Sequence, residues 1–211
     1  LEVLATDPGS LEDFPAFFFF ANPNLKPETS QGYDVGLDQT LFGVTGGVTW
    51  FHNDIRNLIA TDPVTFSTNI NIGRARTQGL ETYLAWQPLD TLKLRVDYTY
   101  TEAQDVIRHQ ELVRRPKTKI SVDARWQAME ALSLDASLLY VGSWIDGSRD
   151  FSISQLNAHP YMTADIAASY ALTDNLALTG RISNLFDKSY QNPVGFLQPE
   201  RAFYAGIKAD F

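Results

Sequence analysis

The segment Leu92-Lys93-Leu94-Arg95-Val96-Asp97-Tyr98-Thr99-Tyr100-Thr101 alternates apolar and polar residues over ten positions without an error. A period of two marks a β-strand whose two faces meet different surroundings. The same alternation returns in Ile120, Val122, Ala124 and Trp126 against Ser121, Asp123 and Arg125. It returns again in Leu132, Leu134, Ala136, Leu138 and Tyr140 against Ser133, Asp135 and Ser137. Weaker versions run through Tyr33, Val35 and Leu37; Val44, Val48 and Trp50; Leu80, Leu84 and Trp86; Ala164 to Leu172; Leu176 to Ile182; and Phe203 to Phe211. The pattern predicts nine strands of roughly ten residues, near the ~9–11 that cross a bilayer when tilted. No segment carries the 3.6-residue period of a helix.

Alternation alone suits a soluble sandwich with apolar faces inward as well as a membrane barrel with apolar faces outward. The connections separate the two. Short links fall near Thr40–Gly43, Gln87–Thr91, Gln127–Ala131 and Leu172–Asn175. Long ones fall near Phe14–Glu28, Asn53–Ala75, Glu102–Pro116, Ser143–Tyr161 and Lys188–Pro199. Short and long alternate, as in an up-and-down outer-membrane barrel with tight periplasmic turns and long external loops. Aromatics agree. Trp86, Trp126 and Tyr170 stand in the apolar phase near short turns, and Trp50, Tyr98, Tyr100 and Tyr140 near long loops, the arrangement of two interfacial girdles. The expected class is therefore all-β: an antiparallel up-and-down transmembrane β-barrel.

Nine is an odd count, and a bacterial single-chain barrel closes with an even one, so the chain reads as part of something larger. At ~23 residues per strand and connection, a plugged barrel of about 22 strands needs on the order of 500 residues. The expectation is the C-terminal part of such a barrel over residues 1–211. Leu1-Glu2-Val3-Leu4 leads straight into Asp7-Pro8-Gly9 with no start methionine or apolar signal region, which reads as a mature or truncated chain.

Composition narrows the function. The chain has 211 residues and a formal net charge of −8, which argues against a general nucleic-acid binder. Mean hydropathy of −0.19 leaves no apolar run long enough for a membrane helix, while a barrel needs none. Without cysteine there are no disulfides, thiolate metal sites or cysteine nucleophiles. His52, His109 and His159 lie in or beside long loops at no metal-ligand spacing, and no phosphate-binding glycine loop or G-x-S-x-G elbow occurs. Asp146-Gly147-Ser148-Arg149-Asp150 only loosely matches the start of a calcium loop. An enzyme is not expected, nor any cofactor or resident metal.

Asn22-Pro23-Asn24-Leu25-Lys26-Pro27-Glu28, standing just before the strand at Tyr33, strongly resembles a motif of the TonB-dependent outer-membrane receptors. The resemblance continues in Asn71-Ile72-Gly73-Arg74-Ala75-Arg76-Thr77-Gln78-Gly79-Leu80-Glu81, in Arg114-Arg115-Pro116, and in Ile182-Ser183-Asn184-Leu185-Phe186-Asp187-Lys188-Ser189-Tyr190. Within that family it is most similar to cobalamin and ferric-siderophore receptors. The resemblance implies TonB-energised uptake of a large, scarce chelate. In that picture the chain supplies barrel wall and outer loops, while a plug domain, the TonB contact and the first strands lie elsewhere. It also implies that Phe203, Ala205, Ile207, Ala209 and Phe211 form the signal read by the barrel-assembly machinery; the bland alternative is a strand that stops at Phe. The remaining implied partner is outer-membrane lipid.

In the heptapeptide, two prolines fix φ and remove donors, so the bare reading is a rigid loop exit rather than a ligand contact. Arg74 and Arg76, with Glu81, Asp34 and Asp38, are expected on the lumen side, meeting a plug or solvent. Phe14 to Phe20 holds five phenylalanines, too apolar for bare water, so Phe17, Phe18, Phe19 and Phe20 are candidates for ligand contact or loop packing. Arg114, Arg115, Trp144, Arg149, Phe151 and Tyr190 add cations and aromatic faces suited to a bulky, often anionic chelate. Two other readings stay open: a non-transporting outer-membrane binding or adhesion barrel, and a small outer-membrane enzyme. A plug-encoding stretch upstream separates the receptor from both.

Overall fold

The computed structural model describes residues 20–62, 67–71, 73–148, 153 and 155–210. Among them lie fourteen strands: β1 (Thr29–Leu41), β2 (Val44–Arg56), β3 (Ile59–Thr61), β4 (Asn69–Asn71), β5 (Arg74–Leu89), β6 (Leu92–Asp105), β7 (Gln110–Glu111), β8 (Thr118–Met129), β9 (Leu132–Val141), β10 (Trp144–Asp146), β11 (Leu156–Ala158), β12 (Tyr161–Thr173), β13 (Leu176–Ser183) and β14 (Ala202–Ala209). The nine long strands are those that the alternation predicts. They pair antiparallel in chain order, β1-β2-β5-β6-β8-β9-β12-β13-β14, the up-and-down topology. The short strands escape the alternation because two or three residues are too few to show a period. All of them lie in the long connections: β3 pairs with β4, β10 with β11, and β7 extends the edge of β6.

The short links are two-residue turns. Leu41 pairs with Val44 across Phe42 and Gly43, whose φ angles of 52° and 79° are both left-handed, as the twist-matched hairpin turn requires. The other three share one construction. Leu89 pairs with Leu92, Met129 with Leu132 and Thr173 with Leu176, each followed by a register shift one step into the ladder. Such a bulge increases local twist, and the one in β5 accommodates Pro88, which has no N–H for a regular ladder.

Register fixes which side chains share a face. Val35, Trp50, Leu80 and Tyr100 form one cross-strand row, and Val44, Trp86, Leu94, Ala124, Ala136, Ile166, Ile182 and Phe203 form another. This face is broadly open: Val35 and Leu37 are 70% and 67% exposed, Phe203 and Ile207 72% and 71%. A soluble sandwich would bury that phase. Val122, in mid-strand, is likewise exposed. Trp86, Trp126 and Tyr170 project from this face beside the short turns, and Tyr98 and Tyr140 flank Ile120 toward the long loops.

The opposite face carries the charges. Tyr83 donates from its hydroxyl to Asp38 at 2.7 Å, Arg95 sits 4.7 Å above the Tyr83 ring and pairs with Asp97, Arg125 pairs with Asp135, and Arg181 with Asp165. Gly79 belongs to this face. A Cβ there would lie 2.8 Å from the Phe51 ring and run into the Tyr100 carbonyl, so only glycine lets the ring lie across the strand.

The expected lumen set divides. Asp34, Asp38 and Glu81 do share the charged face, but Arg74 and Arg76 do not. Arg76 pairs with Asp54, Asp54 meets His52, and His52 stacks on Trp50 and Tyr33, all in the apolar phase. Parity explains the correction: Arg74 and Arg76 are an even number of residues from Leu80, so they share its face. His52 accordingly lies within β2, four residues before its end at Arg56.

Candidate functional site

Three external connections meet above the charged face. Asp146, at the end of β10, is fully buried. Its Oδ1 accepts from Arg114 Nε at 3.0 Å and the Gly147 amide at 2.8 Å, and its Oδ2 from the Val194 amide at 2.9 Å and Trp144 Nε1 at 3.4 Å. One carboxylate therefore ties together the loops around 114, 146 and 194. Burial alone would raise its pKa. The donors from Val194, Arg114, Gly147 and Trp144 outweigh burial and hold it below the ordinary aspartate value. Arg114 is held there at a left-handed φ of 60°, with its amide on the Ile145 carbonyl at 2.7 Å.

Beside this lock Val141, Trp144, Ala158 and Tyr161 form a small buried cluster with Leu139, Tyr190 and Val194 against it. Tyr161 and Tyr190 stack with centroids 4.2 Å apart, and Trp144 meets Tyr161 edge-on at 6.1 Å. Burial, then the nearby Tyr161 and Asp165, push the Tyr190 phenol above its ordinary pKa. A cavity of about 380 Å³ opens alongside, lined among others by His159, Lys188, Tyr190, Gln191, Val194 and Leu197.

The Ile182–Tyr190 motif closes the last loop through Asn184. This buried side chain donates to the Lys188 and Pro199 carbonyls at 3.0 and 3.2 Å and accepts from the Lys188 amide at 2.9 Å. Asp187 accepts from the Arg201 amide at 2.8 Å, at the start of β14. Asn184 and Asp187 have φ of 51° and 55°, left-handed positions that Asn and Asp tolerate well.

The heptapeptide binds the β3–β4 hairpin. Asn22 Nδ2 donates to the Asn69 carbonyl at 3.0 Å, and the Lys26 amide and carbonyl both meet the Asn71 side chain, at 2.9 and 3.0 Å. Asn57 Nδ2 reaches the Pro27 carbonyl at 3.3 Å, and the Ile59 amide donates to the Glu28 carboxylate. Pro23, Asn24 and Leu25 lie inside this brace, with the Asn24 amide on the Asn22 side chain at 3.0 Å.

Of the sequence candidates, the structure thus gathers Arg114, Trp144 and Tyr190 around one lock. Trp144 is buried there, and Arg115 is exposed with Nη1 on the Arg114 carbonyl at 3.0 Å. Phe20 is exposed at the neighbouring hairpin, with its amide on the Ser67 carbonyl at 2.6 Å. Phe203, Ala205, Ile207 and Ala209 alternate along β14. Phe17, Phe18, Phe19, Arg149, Phe151 and Phe211 lie outside the described residues. The spacing Asp146 to Asp150 suggested cation ligands only loosely; both Asp146 oxygens instead face N–H donors. Its role as a lock was illegible because its partners are 32 and 48 residues away.

A continuous antiparallel wall, greasy on one side, charged on the other and alternating tight turns with built-up loops, is the wall of an outer-membrane barrel. The family described as TonB dependent receptor-like, beta-barrel, matches residues 5–185. The chain is 36% identical over 190 residues to the vitamin B12 transporter BtuB of Photobacterium profundum, covering 87% of this chain and 30% of that protein. Among solved structures it is similar to the ferric enterobactin receptor PfeA of Pseudomonas aeruginosa, with a TM-score of 0.73, 27% identity, and coverage of 89% and 32%. The copper transporter OprC shares the fold at a TM-score of 0.75 and 18% identity, with coverage of 90% and 32%. The chain belongs to the TonB-dependent receptor β-barrel family, whose members are outer-membrane proteins. It spans about a third of the length of the relatives it matches.

Proposed function

We propose that this chain is the C-terminal barrel region of a receptor for TonB-energised uptake of a large chelate, cobalamin or an iron–siderophore complex. The observation that supports it best is the loop assembly on the Asp146 lock, with its adjoining cavity beside Tyr190 and Lys188. A bulky polar ligand needs a rigid, partly aromatic surface with a few placed polar groups, and preorganised loops limit the ordering cost of capture. The charged inner face then meets a plug domain supplied by the rest of the protein, and TonB acts through that plug. No bond of the ligand is broken; the barrel holds and releases it.

Within this reading Tyr190 and Arg115 contact ligand, Arg114 and Trp144 position the loops, and Phe17, Phe18, Phe19 and Phe20 are further candidates for ligand contact. The alternating residues Phe203, Ala205, Ile207 and Ala209 of β14, with Phe211 next in the sequence pattern, serve the barrel-assembly machinery. Calorimetry of the full-length protein against cobalamin and a panel of ferric siderophores is the test. Saturable binding of one of them, weakened by Tyr190→Ala, is the expected result, and no binding across both classes would sink the proposal.

A further inference from the structure

Beyond ligand uptake, the outward face changes character toward the long loops in four register rows. Val35, Trp50, Leu80 and Tyr100 are the last apolar row. Tyr33, His52, Gln78 and Glu102 follow, then Gln31, Asp54, Arg76 and Gln104, and finally Thr29, Arg56 and Arg74. From the Tyr33 row to Arg56 is four residues, roughly 13 Å along the strand and about 9 Å in height at a tilt near 45°. That height clears the hydrocarbon and puts the row at the outer edge of the polar headgroup layer, which is about 5–7 Å deep on each side.

The acids of this band already have partners. Asp54 accepts from Arg76 at 3.1 Å and meets His52 at 3.2 Å. Glu102 accepts from Gln78 at 2.9 Å and from the Tyr100 hydroxyl at 2.8 Å. Arg56 and Arg74 are left directly opposite each other in the ladder, both exposed, and neither forms an ion pair among the described residues. Like charges in directly opposed positions destabilise a strand pair. An anion seated between the two guanidinium groups removes that repulsion, and a phosphate matches their planar donor forks.

We infer that Arg56 and Arg74 form a docking site for the phosphorylated headgroup of a glycolipid of the outer leaflet. The lipid is favoured over a soluble anion because the pair stands on the lipid side of the wall, two register rows above the Tyr33–His52 row that fixes its depth. Acyl chains below then lie on Val35, Leu37 and Trp50 while the headgroup reaches the arginines. Gln31 and Thr29, beside them on β1, offer an amide and a hydroxyl to its sugars.

The test uses the full-length receptor extracted in mild detergent and offered a diphosphorylated glycolipid, with retention read by native mass spectrometry. The wild type should retain the lipid, and Arg56→Ala/Arg74→Ala should retain about tenfold less, in keeping with two lost charge-assisted contacts. The wild type offered the same glycolipid with its phosphates removed should show a similar loss. Equal retention by the double variant, equal retention of the dephosphorylated lipid, or full displacement of the lipid by millimolar inorganic phosphate would each overturn the assignment. The dephosphorylated arm uses unaltered protein, so it decides the matter even where the double variant assembles poorly.

Discussion

The barrel wall and the loop assembly above it are stabilised in opposite ways. In the wall most strand residues are exposed or half-buried, burial being confined to a few positions near the long loops such as Ala75, Ala103 and Tyr161, and its ion pairs sit on an accessible surface: Arg125 and Asp135 side chains are 74% and 44% exposed. Pairs of that kind contribute roughly 0–1 kcal/mol each. What holds the wall is the continuous hydrogen-bonded ladder and the surrounding lipid. The loop assembly has its own small interior, with a fully buried carboxylate and an aromatic cluster. Removing a buried hydrogen-bonded group costs more than deleting an exposed one, because its partners are left unsatisfied. The wall thus tolerates polar and charged substitutions on its charged face, Gly79 under the Phe51 ring excepted, and resists charge on its greasy face; the loops depend on a few particular residues.

The sharpest way to break this contrast is to place a charge on the lipid side. Val122→Arg, near the middle of β8, should destabilise the full-length barrel in vesicles by about 2–4 kcal/mol, whereas Ser121→Arg on the other face should cost well under 1 kcal/mol. Equal losses in denaturant titrations would mean that the faces have been assigned wrongly. Next in size, Asp146→Ala should open the loops at a cost of about 2–3 kcal/mol, read as faster hydrogen exchange at the Val194 and Gly147 amides with β8 and β9 unaffected.

Gly79→Ala is expected to cost about 1–3 kcal/mol, since the added methyl meets the Phe51 ring and a backbone carbonyl. A thermal midpoint unchanged from wild type would show that the Phe51 ring and the Tyr100 carbonyl both yield at little cost. The smallest effect belongs to Arg125→Ala, within about 0.5 kcal/mol of wild type, because its pair is exposed.

Acid sharpens the comparison without mutation. The Asp146 carboxyl is held below its ordinary value in the folded loops, so the opened loops bind the proton more readily. Its stabilisation is therefore complete at neutral pH and is lost as pH falls below the ordinary aspartate value, roughly 3.9. Exchange at the Val194 amide, corrected for the intrinsic rate, should accelerate in that window, and the acceleration should vanish in Asp146→Asn.

The legible part of this protein was local. Ten alternating residues from Leu92 to Thr101 sufficed for β6, and the run of short and long links sufficed for the up-and-down order. The heptapeptide before β1 was legible as a family motif and as a rigid exit, but its hold on Asn69 and Asn71 was not, because those contacts bridge 45 to 47 residues. Arg74 and Arg76 were misassigned where parity alone would have placed them correctly. Their charge suggested the lumen, and the pleat overrides charge.

By itself the sequence determined the nine long strands, their alternation of faces and their antiparallel order, since each follows from neighbours along the chain and from turns of two residues. Only the tertiary structure decided that Arg114, Asp146 and Val194 converge, that Asn184 closes the last loop, and that Arg56 stands opposite Arg74. Those pairings depend on register and on loops folding back across many residues, and no periodicity along a single strand encodes which distant donor will find a buried carboxylate.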